Sequence, residues 1–184
     1  MILKSRFTLI FISAALLSCT HAFASPSVWL SGAAGPSLLS ESGFHTGLHP
    51  SISPFLGFEA AYNIRDVLYM GGFYDLNLMS VEKGNSLQGA DLHFLGFQTR
   101  VRLARPQDSS SFMDIKMGPA QLRTQGAASL WELGFGVAYS YEYPFSPGLS
   151  MGIRLGYRLI HYERSAGELS LGFLESTVLL RVGL

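Results

Sequence analysis

A strict two-residue alternation between Leu130 and Tyr162 constrains the fold more than any other feature of this sequence. Within 131–143, the odd positions hold large apolar or aromatic side chains and the even positions hold small or charged ones. The pattern resumes after a turn at 144–148 (PFSPG). Because successive side chains of a strand point to opposite faces, this stretch predicts a β-hairpin with one apolar face and one small, charged face.

The composition indicates which environment that apolar face meets. Of the 184 residues, 48% are apolar and 14% are charged, whereas roughly 25% of the residues in an average soluble domain are charged. Beyond the N-terminal region, no apolar run approaches the roughly 20 residues of a membrane-spanning helix. These properties favour a membrane β-barrel. The formal net charge of zero gives no electrostatic basis for binding nucleic acid.

The N-terminal region is typical of an export signal. Lys4 and Arg6 precede a short apolar core at 7–17, and Ala22 and Ala24 form an A-x-A cleavage site. The apolar core is shorter than a membrane-spanning helix requires, which argues against a retained anchor helix. The sequence therefore predicts export through the inner membrane and cleavage of the signal.

This region has a second interpretation, which concerns Cys19. Residues 16–19 (LLSC) resemble a bacterial lipoprotein box, which would leave Cys19 acylated as the mature N-terminus. Cleavage after Ala24 would instead remove the only cysteine of the chain and leave no disulfide. The predicted division of the chain is a signal peptide at 1–24 and one barrel domain at 25–184.

Eight strands are predicted in the mature chain, all of them joined by loops or turns. The predicted ranges are 28–35, 55–63, 67–79, 91–103, 112–122, 130–143, 149–162 and 171–184. Pro36 is expected to end the first strand before a loop at 38–52, and a change of polar parity near Leu95 and Gly96 predicts a β-bulge. An even number of strands with short turns on one side is typical of an all-β, eight-stranded, antiparallel up-and-down transmembrane barrel.

The facing of the strands distinguishes this fold from a soluble lipocalin-like barrel that binds a ligand inside. A soluble barrel needs a polar exterior, and the bulky faces of the sixth and seventh strands would overfill an eight-stranded interior. The bulky face is therefore predicted to meet lipid, with aromatic residues at its rims. The predicted aromatic girdle consists of Trp131, Tyr139, Tyr141, Tyr143 and Tyr157.

The opposite face places charged side chains inside the barrel. The predicted interior charge network consists of Glu59, Asp75, Glu132, Arg154, Arg158, Glu175 and Arg181. Asp114, Lys116 and Glu142 are also predicted to face inward. Counting back from the turn places Gly134 opposite Arg158 and Ala138 opposite Arg154, so small residues leave room for long ones. Because a buried charge without a partner is costly, we expect ion pairs and a closed interior rather than an ion path or proton relay.

The N-terminal signal, the eight alternating strands and the segment YEYPFSPGLSMGIRLGYR (141–158) resemble the small outer-membrane β-barrel proteins of Gram-negative bacteria. That group includes the OmpA-type transmembrane domain and the OmpX-like barrels. The resemblance implies a monomer in the bacterial outer membrane, in contact with its lipid and lipopolysaccharide and inserted by the barrel-insertion machinery. The final residue, Leu184, departs from the aromatic residue that is usual in the group.

A further resemblance suggests an enzymatic activity. Residues 158–162 (RLIHY) are similar to the segment that carries the catalytic histidine of the outer-membrane lipid A deacylases. In that family the serine nucleophile follows two residues after the histidine; here that position is Glu163, and the nearest serine is Ser165. The alternative function is thus a lipid A deacylase-like enzyme that uses His161 and Ser165, with Glu175 as the orienting acid.

The main prediction remains a structural or loop-mediated interaction role without enzymatic activity. His45 and His49 lie four residues apart, a spacing that suits a metal only on a helix, and their segment shows no helical pattern. The sequence therefore predicts no metal and no cofactor.

Overall fold

The computed structural model describes residues 28–43, 52–65, 67–83, 86–104, 109–124, 129–164 and 167–184. They form eight strands: β1 (Val28–Gly43), β2 (Ile52–Arg65), β3 (Leu68–Lys83), β4 (Ser86–Ala104), β5 (Ser110–Thr124), β6 (Leu130–Ser146), β7 (Leu149–Arg164) and β8 (Gly167–Gly183). Each strand is antiparallel to the next, and β8 pairs with β1, which closes the barrel. The predicted all-β, up-and-down eight-stranded fold is confirmed. Among the described residues, no helix has the length and hydropathy needed to cross a membrane.

The two ends of the barrel differ in what they carry. The terminal end, as we call it, holds Val28, Gly183 and the connections that follow β2, β4 and β6. The opposite, distal end holds the connections that follow β1, β3, β5 and β7.

Several strands extend further toward the distal end than predicted. β1 continues to Gly43, so the first part of the predicted loop at 38–52 is strand. The β3–β4 ladder likewise continues to the pair Lys83–Ser86. Beyond Leu39 and Met79, these segments show little apolar alternation in the sequence. The backbone hydrogen bonds of a hairpin still hold them in register, and sequence periodicity does not detect such bonds.

Proline interrupts the sheet without ending a strand. β1 runs through Pro36, which lies opposite Pro54 of β2, so the prediction that Pro36 ends the strand is wrong. Proline has no N–H to donate, and the pairing of β1 with β8 is interrupted at this point. The preceding residue must be glycine here, because a Cβ on Gly35 would lie 2.1 Å from the carbonyl oxygen of Ser176.

The predicted β-bulge at Leu95 and Gly96 is absent. The register of β4 with β5 is the same on both sides of this position. What changes is the composition of the inward face, from apolar in the distal half to polar in the terminal half. The buried inward residues are Ala90, Leu92 and Phe94, followed by Gln98 and Arg100. His93 consequently lies on the outward face, where its Nδ1 is 2.7 Å from the hydroxyl oxygen of Tyr74.

Candidate functional site

Large apolar side chains cover the outside of the barrel. On β6, β7 and β8, Val137, Ile153 and Leu174 are 53%, 62% and 55% exposed. The five residues predicted for the aromatic girdle are also exposed on this outer surface: Trp131, Tyr139, Tyr141, Tyr143 and Tyr157. Tyr157 lies opposite Val137, midway along β6, and therefore not at a rim. This facing is opposite to the one that a soluble lipocalin-like barrel requires.

Ion pairs fill the middle of the barrel. The Nη2 atom of Arg154 lies 2.8 Å from Oε2 of Glu59 and 3.5 Å from Oδ2 of Asp114. The Nζ atom of Lys116 lies 3.0 Å from Oε1 of Glu59 and 2.9 Å from Oδ2 of Asp75. All of these side chains are almost fully buried, so each charge depends on its partners for stabilisation.

The network continues toward the terminal end through Arg100. Its Nε atom lies 3.2 Å from Oδ1 of Asp114, and its Nη2 atom donates to Oγ of Ser140 at 2.7 Å and also pairs with Glu142. The Nη1 atom of Arg181 donates to Oε2 of Glu142 at 3.1 Å. Two guanidinium groups thus share one carboxylate.

Toward the distal end, Arg158 joins polar and aromatic groups. It pairs with Glu175 and donates to the side-chain oxygen of Asn77. Its guanidinium carbon lies 4.8 Å from the ring centre of Phe173 and 5.3 Å from that of Phe94. Over the described residues, the ion pairs join five basic and five acidic side chains, so the formal charge balances.

Apolar and aromatic side chains close the barrel above and below this network. A buried cluster fills the distal half: Leu39, Phe73, Met79, Ala90, Leu92, Phe94, Ala120, Leu122, Ile160, Tyr162, Leu171 and Phe173. At the terminal end, the Arg181 guanidinium carbon lies 4.2 Å from the ring centre of Trp29. The cavity between Lys116, Arg154 and Arg158 measures only about 10 Å³, which is at the lower limit for one water molecule.

Six of the seven residues predicted for the interior network take part in these ion pairs. The exception is Glu132, which is half-buried near the distal end, and no ion pair among the described residues includes it. Sequence reasoning omitted Arg100 from the network. Arg100 lies two residues from Gln98 and therefore on the same, inward face of β4, which the sequence could have indicated. The predicted bulge made the facing of this strand uncertain.

The predicted β6–β7 register is wrong by two residues. Arg158 lies opposite Gly136 rather than Gly134, and Arg154 lies opposite Ser140 rather than Ala138. The cause is the position of the turn, which is formed by Pro147 and Gly148 rather than by 144–148; the register shift between Pro144 and Ser146 offsets part of the difference. The residue opposite Arg158 is still a glycine, although a Cβ on Gly136 would lie 3.8 Å from Cβ of Arg158, which is an ordinary contact distance.

The residues of the enzymatic alternative are not brought together as predicted. Glu175 faces inward and pairs with Arg158, so its proposed role in orienting His161 is wrong. Ser165 lies outside the described residues. A different serine takes its place beside the histidine: Ser170 lies opposite His161 in the β7–β8 register, and its Oγ is 2.8 Å from the histidine Nδ1.

Other predicted positions also lie outside the described residues. They include the cleavage-site residues Ala22 and Ala24, the alternative lipidation site Cys19, and the loop histidines His45 and His49. The signal peptide and the domain boundary at 24/25 stay predictions.

No protein-family model and no curated protein matches this sequence. Among solved structures, the barrel is similar to Neisserial surface protein A (NspA), with a TM-score of 0.66 and 15% identity over 88% of this chain and 100% of that one.

Two further solved structures are similar. Ail of Yersinia pestis, in complex with the heparin analogue sucrose octasulfate, matches with a TM-score of 0.51 and 10% identity over 85% of this chain and 99% of that one. The outer membrane protein OprG of Pseudomonas aeruginosa matches with a TM-score of 0.50 and 9% identity over 87% of this chain and 95% of that one. Together with the closed topology, these similarities show that the chain has the fold of the small eight-stranded outer-membrane β-barrels, as its alternating sequence pattern predicts.

Proposed function

We propose that this chain is an integral protein of the bacterial outer membrane, with a closed, ion-paired interior and a structural or loop-mediated interaction role. The observation that carries the proposal is the facing of the strands: apolar side chains cover the outside while charges are paired within. Exposing that outer surface to water would forgo roughly 25 cal/mol for each Å² of apolar area that lipid could cover. The outer surface of the barrel is therefore more stable in contact with a lipid bilayer than in contact with water.

The closed interior argues against a role in transport. An eight-stranded barrel leaves an interior only wide enough for side chains. In this barrel, Arg154 and Lys116 occupy the middle, and the apolar cluster around Phe94 and Leu171 blocks the distal half. A continuous water path would require several buried ion pairs to break, each at a cost of several kcal/mol by the usual estimates.

The proposed surroundings define the partners. Lipid and lipopolysaccharide would surround the apolar belt, the barrel-insertion machinery would place the chain in the membrane, and the closed sheet leaves no edge for pairing with a second copy. We infer a monomer whose distal connections face outward, since the longer loops of outer-membrane barrels lie outside the cell. The longest interval between strands, from Gly43 to Ile52, lies at that end and would provide contacts with another molecule.

Gel migration and conductance test this proposal together. The full-length protein should sediment with outer membranes and migrate differently before and after boiling, because a closed barrel resists detergent until heated. The same preparation should produce no large, stable conductance in a planar bilayer. A soluble protein whose band never shifts would refute the membrane role, and a stable channel would refute the closed interior.

A second candidate function rests on the contact between His161 and Ser170. The pair lies on the outward face near the distal end, where the head groups and ester bonds of outer-leaflet lipid would lie. His161 could accept the hydroxyl proton of Ser170 as the Oγ attacks an acyl ester carbonyl, forming an acyl-enzyme. The proton would then pass to the leaving alkoxide, and water would release the fatty acid. The candidate reaction is thus hydrolysis of an acyl ester of lipid A.

Mass spectrometry of lipid A from cells that overproduce the protein tests this second candidate. A hydrolase should yield lipid A that lacks an acyl chain, and Ser170→Ala, which removes the nucleophile, should reduce the rate of its formation by about 10⁶-fold. Ser176→Ala changes another outward serine of β8 and should leave the product level unchanged. Unaltered lipid A in cells with the folded, overproduced protein would exclude the reaction.

A further inference from the structure

Two further hydroxyl groups lie near the His161–Ser170 pair on the outer face of the barrel. Gly172 follows Ser170 by two residues on β8 and therefore shares its outward face. Ser40 of β1 lies opposite Gly172 in the register, and its Oγ donates to the carbonyl oxygen of Gly172 at 3.3 Å. The second hydroxyl belongs to Tyr157 of β7.

The Tyr157 hydroxyl occupies the space that a side chain at position 172 would fill. A Cβ on Gly172 would lie 2.8 Å from the Tyr157 hydroxyl oxygen and 2.7 Å from Oγ of Ser40. Tyr157 lies opposite Leu174, which is two residues nearer the terminal end, so its ring extends toward the distal end and toward Ser170. No hydrogen bond among the described residues uses the Tyr157 hydroxyl. Its O–H is therefore free to donate to a bound molecule.

The distance between Ser170 and this hydroxyl suits a carbonyl group. Two residues along a strand span about 6.6 Å. A carbonyl carbon under attack lies about 3–3.5 Å from the nucleophile, the C=O bond is about 1.2 Å long, and a donor to the oxyanion lies about 2.7–3.1 Å from its oxygen. An acyl ester placed over 170–172 can therefore contact Oγ of Ser170 and the hydroxyl of Tyr157 at the same time.

The depth of these side chains suits the ester bonds of a lipid. Tyr157 lies opposite Val137, midway along the apolar belt, and His161 lies four residues further toward the distal end. Four residues correspond to roughly 13 Å along a strand and to about 10 Å in height at a tilt of about 40°. The apolar band extends about 12 Å above its middle. Ser170, opposite His161, thus lies near the upper edge of the band.

We propose that Tyr157 is a catalytic residue for hydrolysis of the acyl ester, and that its hydroxyl donates a hydrogen bond to the oxyanion. Oγ of Ser170 bonds to the carbonyl carbon, its proton passes to His161, and the carbonyl π electrons move to the oxygen. The Tyr157 O–H binds that oxygen and keeps its proton. Collapse of the intermediate restores the C=O bond and expels the alkoxide, which takes the proton from His161.

This inference rests on the second candidate function and identifies the group that stabilises its transition state. A hydrogen bond directed at the developing negative charge is stronger where lipid excludes water than it is in water. Ser40 already donates to the backbone, whereas the phenol O–H of Tyr157 has no acceptor among the described residues. Tyr157 is therefore the better donor to the oxyanion.

The rate of fatty acid release from purified lipid A tests this role. The full-length protein in detergent micelles that contain lipid A is assayed by mass spectrometry over a range of lipid A concentrations. Tyr157→Phe removes only the hydroxyl and should lower kcat by about 10²–10³-fold, the usual loss for one oxyanion donor, with KM nearly unchanged. Tyr139→Phe is the matched control, because Tyr139 is 48% exposed on β6 and Tyr157 is 46% exposed. It should leave kcat unchanged.

Gly172→Ala tests the position of the hydroxyl separately. The added Cβ would come closer than 3 Å to the side-chain ends of Ser40 and Tyr157, which can move aside while the barrel folds. We expect kcat to fall by about 10–10²-fold, because a displacement of about 1 Å is enough for such a loss. If both changes act through the same hydroxyl, Gly172→Ala should add little to the loss in Tyr157→Phe.

The possible failures are distinguishable. A heat-dependent gel shift identifies the folded variants. Folded Tyr157→Phe with the kcat of the unmodified protein would overturn the role of Tyr157 and leave the hydrolase in place, provided that Ser170→Ala is inactive. A raised KM with unchanged kcat would also overturn it, because the hydroxyl would then only bind the lipid. Unmodified protein that releases no fatty acid would refute the reaction itself and the role of Tyr157 with it.

Discussion

Replacing Arg154 with methionine should destabilise the barrel by about 3–5 kcal/mol, the usual cost of removing one partner from a buried ion pair. Arg154 contacts Glu59 and Asp114 in the middle of the interior, where neither carboxylate reaches water. The substitution would remove one cationic partner from each carboxylate and leave Glu59 with Lys116 and Asp114 with Arg100. Unfolding by urea of the protein refolded into phosphatidylcholine vesicles measures the change.

Two comparisons separate this effect from a simple loss of volume. The double variant Glu59→Gln/Arg154→Met removes one charge of each sign and leaves Lys116 with Asp75, so it should cost less than the sum of its single changes. Arg123→Met removes an exposed cation and should change the unfolding free energy by about 0–1 kcal/mol. A cost below about 1 kcal/mol for Arg154→Met would mean that the interior is hydrated rather than closed.

The sequence predicts the facing of β6 and β7 because one face of each strand is uniformly bulky and the other uniformly small or charged. A period of two residues then assigns every side chain to a face, independently of where the strand ends. The facing of β4 is harder to predict. Its inward side chains change from apolar at Phe94 to polar at Gln98. In the sequence, such a change along one face has the same pattern as a switch of the polar residues from one face to the other.

Register and contacts across the barrel could not be obtained in the same way. The alternation of side chains predicts that Arg158 points inward, but the position of the turn after Ser146 determines that it lies opposite Gly136. The contact between Arg154 and Glu59 joins β7 with β2, which are not neighbours, so no local pattern encodes it. The pairing of His161 with Ser170 likewise depends on the hairpin register and not on their distance in the sequence.

Replacing Val137 with arginine should destabilise the membrane-inserted barrel by about 2–4 kcal/mol, the range for an arginine at the bilayer midplane on the lipid face of a barrel. Val137 is 53% exposed on the outer surface and lies midway between Trp131 and Tyr143 of β6. The expected cost arises because the cation must remain in hydrocarbon or draw water into it. In a soluble barrel, the same substitution would put a charge into water and cost almost nothing.

Phe145 provides a matched position on the same strand. It is 51% exposed, like Val137, but lies near the terminal end of β6, where the belt meets the interface. An arginine at such a position costs only about 0–1 kcal/mol. Exposure is thus held constant while depth in the bilayer changes.

The most direct test of a lipid-facing outer surface is therefore the difference in unfolding free energy between Val137→Arg and Phe145→Arg in the same vesicles. If the apolar face of the barrel meets lipid, Val137→Arg should be more destabilising by at least about 1 kcal/mol, because its position lies deeper in hydrocarbon. Equal, small costs at both positions would contradict it, since the apolar face of the barrel would then be in contact with water.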